Sequence, residues 1–101
     1  MTKSLFKKKR IRSPKHLNNV RRERCSICSE APPSHAHHLR HAEKSGMGMK
    51  VSDVWTVPLC WKCHHELHTA KLREGLFWSM KGVDPIDIAK RLWRSTNETS
   101  T

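Results

Sequence analysis

The fold class read from the sequence is one small α+β domain, on three grounds. These are the chain length, two short β-prone segments followed by helical ones, and two cysteine pairs set where a thin core needs help. At 101 residues the chain has room for a single domain. Only 36% of it is hydrophobic while 29% is charged. Cores below roughly 80 residues seldom stabilise themselves unaided. Some further tie is therefore required, and the four cysteines and eight histidines are the side chains able to supply it.

Taken in order, residues 1–24 are read as a basic arm, disordered when free, with few apolar positions and no helical stripe. Residues 25–94 form the folded domain. Within it, Ala31-Pro32-Pro33-Ser34 forces an extended or turning backbone, because proline fixes φ and restricts its predecessor. A first strand is expected over 35–39, a mobile loop over 45–49, and a second strand over 51–57 ended by Pro58. The spacing of Cys63, Leu67 and Ala70 predicts a helix over 62–72, with Gly75 as its break. An apolar piece over 76–80 follows, closed by Gly82. Asp84 then reads as an N-cap with Pro85 at the first helical position, and the final helix is expected over 85–93. Its apolar set, Ile86, Ala89, Leu92 and Trp93, reads as a packing face, and Trp55, Trp61 and Trp78 as core or knuckle packing. Residues 95–101 are expected to fray.

Charge points to the partner. Twenty Lys and Arg against nine Asp and Glu give +11. Such a balance normally faces a polyanion, most often nucleic acid. Ten of the basic residues and one acid lie in the first 24 positions, so the excess sits on the arm. The plainer reading of that arm is a solvated tail; the reading adopted is one that neutralises phosphates, with Lys7, Lys8, Lys9 and Arg10 at its centre. No apolar run is long enough to span a bilayer and the first ten residues lack a signal-peptide apolar region. A cytoplasmic protein with reduced thiols, away from membranes, is expected.

Cys25-Ser26-Ile27-Cys28 and Cys60-Trp61-Lys62-Cys63 are two C-x2-C pairs separated by 31 residues. Four thiolates on two knuckles suit a closed tetrahedral zinc site, with disulfides or free thiols as the competing readings. Two decoys overlap them. Cys60-Trp61-Lys62-Cys63-His64 spells a haem-attachment pattern, but that asks for export and leaves Cys25 and Cys28 unemployed. His41-Ala42-Glu43 with Pro58-Leu59-Cys60 nearly spells a zinc-deaminase signature, which the inserted Leu59 breaks.

His64 and His68 are four apart on the predicted helix and so share one face. His37 and His38 are adjacent on the predicted strand and point to opposite faces, which gives them separate jobs. One can bind metal while the other works as a base, since an unperturbed imidazole titrates at about 6.5. For any single histidine a surface or satisfied core residue is the plainer reading; for the set on a zinc scaffold, a catalytic metal site is favoured.

His37-His38-Leu39, followed by Val57-Pro58-Leu59-Cys60-x-x-Cys63-His64-x-Glu66-Leu67-His68, resembles the HNH endonucleases, and the framing cysteine pairs resemble its zinc-stapled members. His35 to Arg40, Gly46 to Lys50, Ser52-Asp53, and Gly82 to Pro85 with Trp93 look like a phage- and prophage-associated branch. The resemblance implies a ββα-metal core, with His38 as general base and His37, His64 and His68 on a catalytic divalent ion. It further implies hydrolysis of DNA phosphodiesters to 5′-phosphate and 3′-hydroxyl ends. Where the family usually has Asn this chain has Trp55, and Asp53 is the nearest polar substitute for orienting the loop that bears the base. Arg40 and Lys50 are candidate phosphate contacts, with solvated surface cations as the plainer reading. Three imidazoles favour zinc or later transition metals such as nickel in affinity, while turnover could use magnesium or manganese. The competing function is a non-catalytic zinc-knuckle module that binds DNA or RNA, which has no need of a second metal.

Overall fold

The computed structural model of the chain describes residues 11–42 and 51–98. Among these the order is α1 (Pro14–Arg21), β1 (His35–His38), β2 (Thr56–Leu59), α2 (Trp61–Thr69), α3 (Glu74–Lys81) and α4 (Pro85–Glu98), a small α+β arrangement of four helices and a two-stranded sheet. No described helix is long and apolar enough to cross a membrane.

The strands pair antiparallel with His35 opposite Leu59, Ala36 opposite Pro58, His37 opposite Val57 and His38 opposite Thr56. Pro58 thus lies inside β2 and does not end it, and the second strand expected over 51–57 is shifted to 56–59. A two-stranded sheet has only edge strands, so a residue without an N–H is tolerated. The Pro58 carbonyl is used from outside the sheet, accepting from both the backbone N and the Oγ of Ser26 at 2.9 Å. Residues 53–55 instead form a turn that follows the buried Val51 and Ser52, and Thr56 Oγ1, at the start of β2, donates to the Asp53 carbonyl at 2.9 Å.

The core collects Leu39, Val57, Leu59, Leu67, Phe77, Trp78 and Ala89 around Cys25, Cys60 and Cys63. It draws on the hairpin and on α2, α3 and α4, and the cysteines are part of its wall. Trp78 is the largest side chain in it, at 1% exposure, and truncating such a residue to Ala costs about 3–5 kcal/mol. The piece over 76–80 is helical. The break before it falls at residues 70–73, where Lys71 takes a left-handed φ of 56°, and not at Gly75, which lies within α3. Gly82 does close that helix in the left-handed conformation, φ 70°, where a Cβ is unfavourable.

Two boundaries differ from expectation for one shared reason. The segment read as the end of the arm folds as α1: Ser13 caps it, its Oγ accepting from His16 N at 3.1 Å, with Pro14 at its start. The final helix continues past Trp93 to Glu98 through three residues, Ser95, Thr96 and Asn97, of modest helix propensity. The two extensions meet. His16 is fully buried with Nδ1 2.7 Å from Thr96 Oγ1, Asn19 Nδ2 donates to the same oxygen at 3.2 Å, and the His16 ring sits edge-on to Trp93 at 5.0 Å. Tertiary packing decides both ends. The basic residues Lys7, Lys8, Lys9, Arg10 and Lys50, and the loop over 45–49, lie outside the described residues.

Candidate metal centre

The turn before β1, the strand β1 and the start and body of α2 supply two ligand clusters. The first is Cys25, Cys28, Cys60 and Cys63, whose sulfurs all lie within 4.8 Å of one another. Cys60 caps α2, its sulfur accepting from the Cys63 N–H at 3.5 Å. Tetrahedral coordination at the usual zinc–sulfur distance sets sulfurs about 3.8 Å apart. Cys28 Sγ and Cys60 Sγ are separated by 3.6 Å. Burial pushes the Cys25 thiol up, but backbone N–H groups of Cys28, Cys60 and Ile27 bring it down to about 7. Burial together with the thiols of Cys60, Cys25 and Cys28 pushes Cys63 well up. Four thiols so placed ionise together only around a cation, which makes the cluster compatible with a structural metal.

The second cluster is His37, His64 and His68. His37 projects from β1, and the other two lie one helical turn apart on α2. His37 Nδ1 is 3.2 Å from His64 Nε2, and His68 Nε2 is 3.1 Å from the same nitrogen. Imidazole nitrogens around one tetrahedral zinc stand about 3.3 Å apart. Burial, with His37, His68 and His35 close around it, pulls His64 down to about 4. Its ring is therefore neutral at ordinary pH, as a metal ligand must be.

His38, the neighbour of His37, turns to a different partner. Its Nε2 donates to Asp53 Oδ1 at 2.8 Å. The other oxygen, Oδ2, accepts from Ser13 N at 2.7 Å, and Arg12 lies 3.5 Å from Oδ1. Burial alone would raise the Asp53 carboxyl, but the His38 and Ser13 hydrogen bonds and the His38 and Arg12 charges hold it below the usual aspartate range. Asp53 thus orients the imidazole itself and not only its loop. Of the predicted phosphate contacts, Arg40 is described and exposed.

Three features escaped the sequence reading. Glu74, on α3, accepts from His37 Nε2 at 2.6 Å and from Trp78 Nε1 at 3.2 Å. Its carboxyl, which burial would raise, is held low by His37, Trp78 and His41. No spacing rule links residues 37 positions apart. His35 Nδ1 lies 2.8 Å from His64 Nδ1, on the side away from His37 and His68. Trp61, expected to pack, is 65% exposed beside a cavity of about 860 Å³ that is also lined by Pro32, Pro33, His35 and Cys28.

A small α+β fold with a four-thiol and a three-imidazole cluster defines a protein class with two metal-compatible centres. The chain belongs to the family described as "Protein of unknown function (DUF968)", which matches residues 4–76. It is also similar to "Uncharacterized protein YdfU" of Escherichia coli (strain K12), 38% identical over 65 residues, or 64% of this chain. The chain spans 18% of that relative's length. No solved structure matches. These findings correct the likeness to the HNH endonucleases drawn from motif spacing: the family matched is a different one, described without a function, so residue roles rest on geometry alone.

Proposed function

We propose that the protein is a metal-dependent endonuclease that hydrolyses DNA phosphodiester bonds, with His38 as general base. The observation that carries the reading is the pairing of a three-imidazole cluster with an adjacent strand histidine held by a buried carboxylate. Supporting it, β1, β2 and α2 follow one another as in a ββα-metal arrangement, with ligands from the first strand and the helix.

Asp53 is acceptor-only when ionised, so His38 carries its proton on Nε2 and offers the Nδ1 lone pair. That nitrogen takes a proton from water attacking phosphorus, and Asp53 stabilises the imidazolium that results. His37, His64 and His68 would hold the divalent ion, which when bound supplies positive charge against the negative charge developing on the phosphate. Cys25, Cys28, Cys60 and Cys63 would hold a structural zinc that fixes the start of α2 and hence the bearing of His64. Arg40 and the basic amino-terminal residues contribute phosphate contacts. Trp61 offers an exposed aromatic face suited to stacking on a base.

The test incubates the purified chain with plasmid and with single-stranded DNA in magnesium, manganese, nickel, zinc or EDTA. Wild type is expected to cut with at least one ion and not in EDTA. His38→Ala is expected to lose about 10²- to 10⁴-fold in rate while still binding DNA in a mobility-shift assay. If wild type binds DNA yet cuts neither substrate with any ion, the protein is a binding module and the enzymatic reading fails.

A further inference from the structure

We propose that Glu74 is the positioning residue of the three-histidine site: its carboxylate fixes His37 with Nε2–H turned outward and the Nδ1 lone pair turned toward His64 and His68. The inference rests on the reading of those histidines as metal ligands and adds the element that controls their affinity.

For a neutral His37 the geometry admits one proton arrangement. A carboxylate at its ordinary ionisation accepts and does not donate, so the 2.6 Å contact between Glu74 Oε2 and His37 Nε2 requires the proton on Nε2. A neutral imidazole has one N–H, so Nδ1 is left bare, and Nδ1 is the nitrogen 3.2 Å from His64 Nε2. The carboxylate is itself anchored. Trp78 Nε1 donates to the same oxygen at 3.2 Å from a ring only 1% exposed, and His41 Nδ1 stands 3.7 Å from Oε1. Glu74 also occupies the first turn of α3, where an anion is favoured. A carboxylate behind a ligating histidine fixes tautomer and ring orientation, and its loss typically costs 10- to 100-fold in metal affinity. A contact that merely stapled α3 to β1 would change stability and leave affinity alone.

The experiment uses the full chain, its four-cysteine site filled with one equivalent of zinc, and titrates Co²⁺ by calorimetry into wild type, Glu74→Gln and Glu74→Ala, with a thermal melt of each. Gln keeps an acceptor for His37 but not the charge. The expected result is a second binding event weakened about 10-fold in Glu74→Gln and about 100-fold in Glu74→Ala. Wild-type affinity in both variants overturns the proposal and leaves the three-histidine site standing. Absence of a second event in wild type overturns that site and the proposal with it. Should the variants fail to fold, nitrogen shifts of His37 in wild type decide: protonated Nε2 with bare Nδ1 is expected, and the opposite tautomer overturns the assignment.

Discussion

Asp53 lies beneath both the candidate base and the amino-terminal helix, with one oxygen on His38 Nε2 and the other on Ser13 N. Replacing it with Asn leaves one of these groups facing an amide N–H and removes the charge; breaking such a buried bond costs about 1–3 kcal/mol. Because the folded carboxyl is held below its ordinary value, its stabilisation is present above the ordinary aspartate range and is lost as pH falls through the lower folded value. The stability difference between wild type and Asp53→Asn should therefore shrink in acid. Denaturant titrations of both proteins at several pH values measure it, and the thiol titrations common to both cancel. A difference of equal size at pH 7 and pH 3 would contradict the account. At this scale the histidine spacing was legible, because four residues make about one helical turn and strand neighbours oppose one another. Glu74 was not legible, because only the packing of α3 beside β1 brings it to His37.

The helix α1 shows how charge can mask an element. Ser13-Pro14 is a good helix start, yet the ten basic residues of the first 24 read as a disordered, phosphate-neutralising arm. What decides the matter is non-local: Val20 and His16 are fully buried, and His16 and Asn19 share Thr96 of α4. Thr96→Val should therefore destabilise the domain by about 1–3 kcal/mol, since it strips a partner from the buried His16 Nδ1. Urea unfolding checks this, and an unchanged midpoint would mean that the end of α4 is as frayed as its composition suggests. The cap Asp84-Pro85 and the stop at Gly82 were readable because each is a local signal, and Asp84 Oδ1 does accept from the N–H groups of Ile86 and Asp87 at 3.1 and 3.2 Å. The limits of β2 were not readable, since Pro58 is tolerated only because the sheet has two strands.

For the whole molecule, the formal charge of +11 and the two ligand clusters together define the account. Residues 1–10 carry five of the basic side chains. Deleting them should weaken DNA binding and reduce the slope of log affinity against log salt by up to about 4. Binding measured across a salt series tests this, and equal slopes would show that the segment makes no phosphate contact. The histidine cluster is what separates a nuclease from a knuckle that only binds, and it can be examined without any substrate. Metal content per chain, measured by elemental analysis after dialysis against a defined free divalent ion, tests it most directly. Two ions per wild-type chain and one in a folded His64→Ala or His68→Ala protein is the predicted result; one ion per chain in wild type, unchanged in either variant, would contradict it.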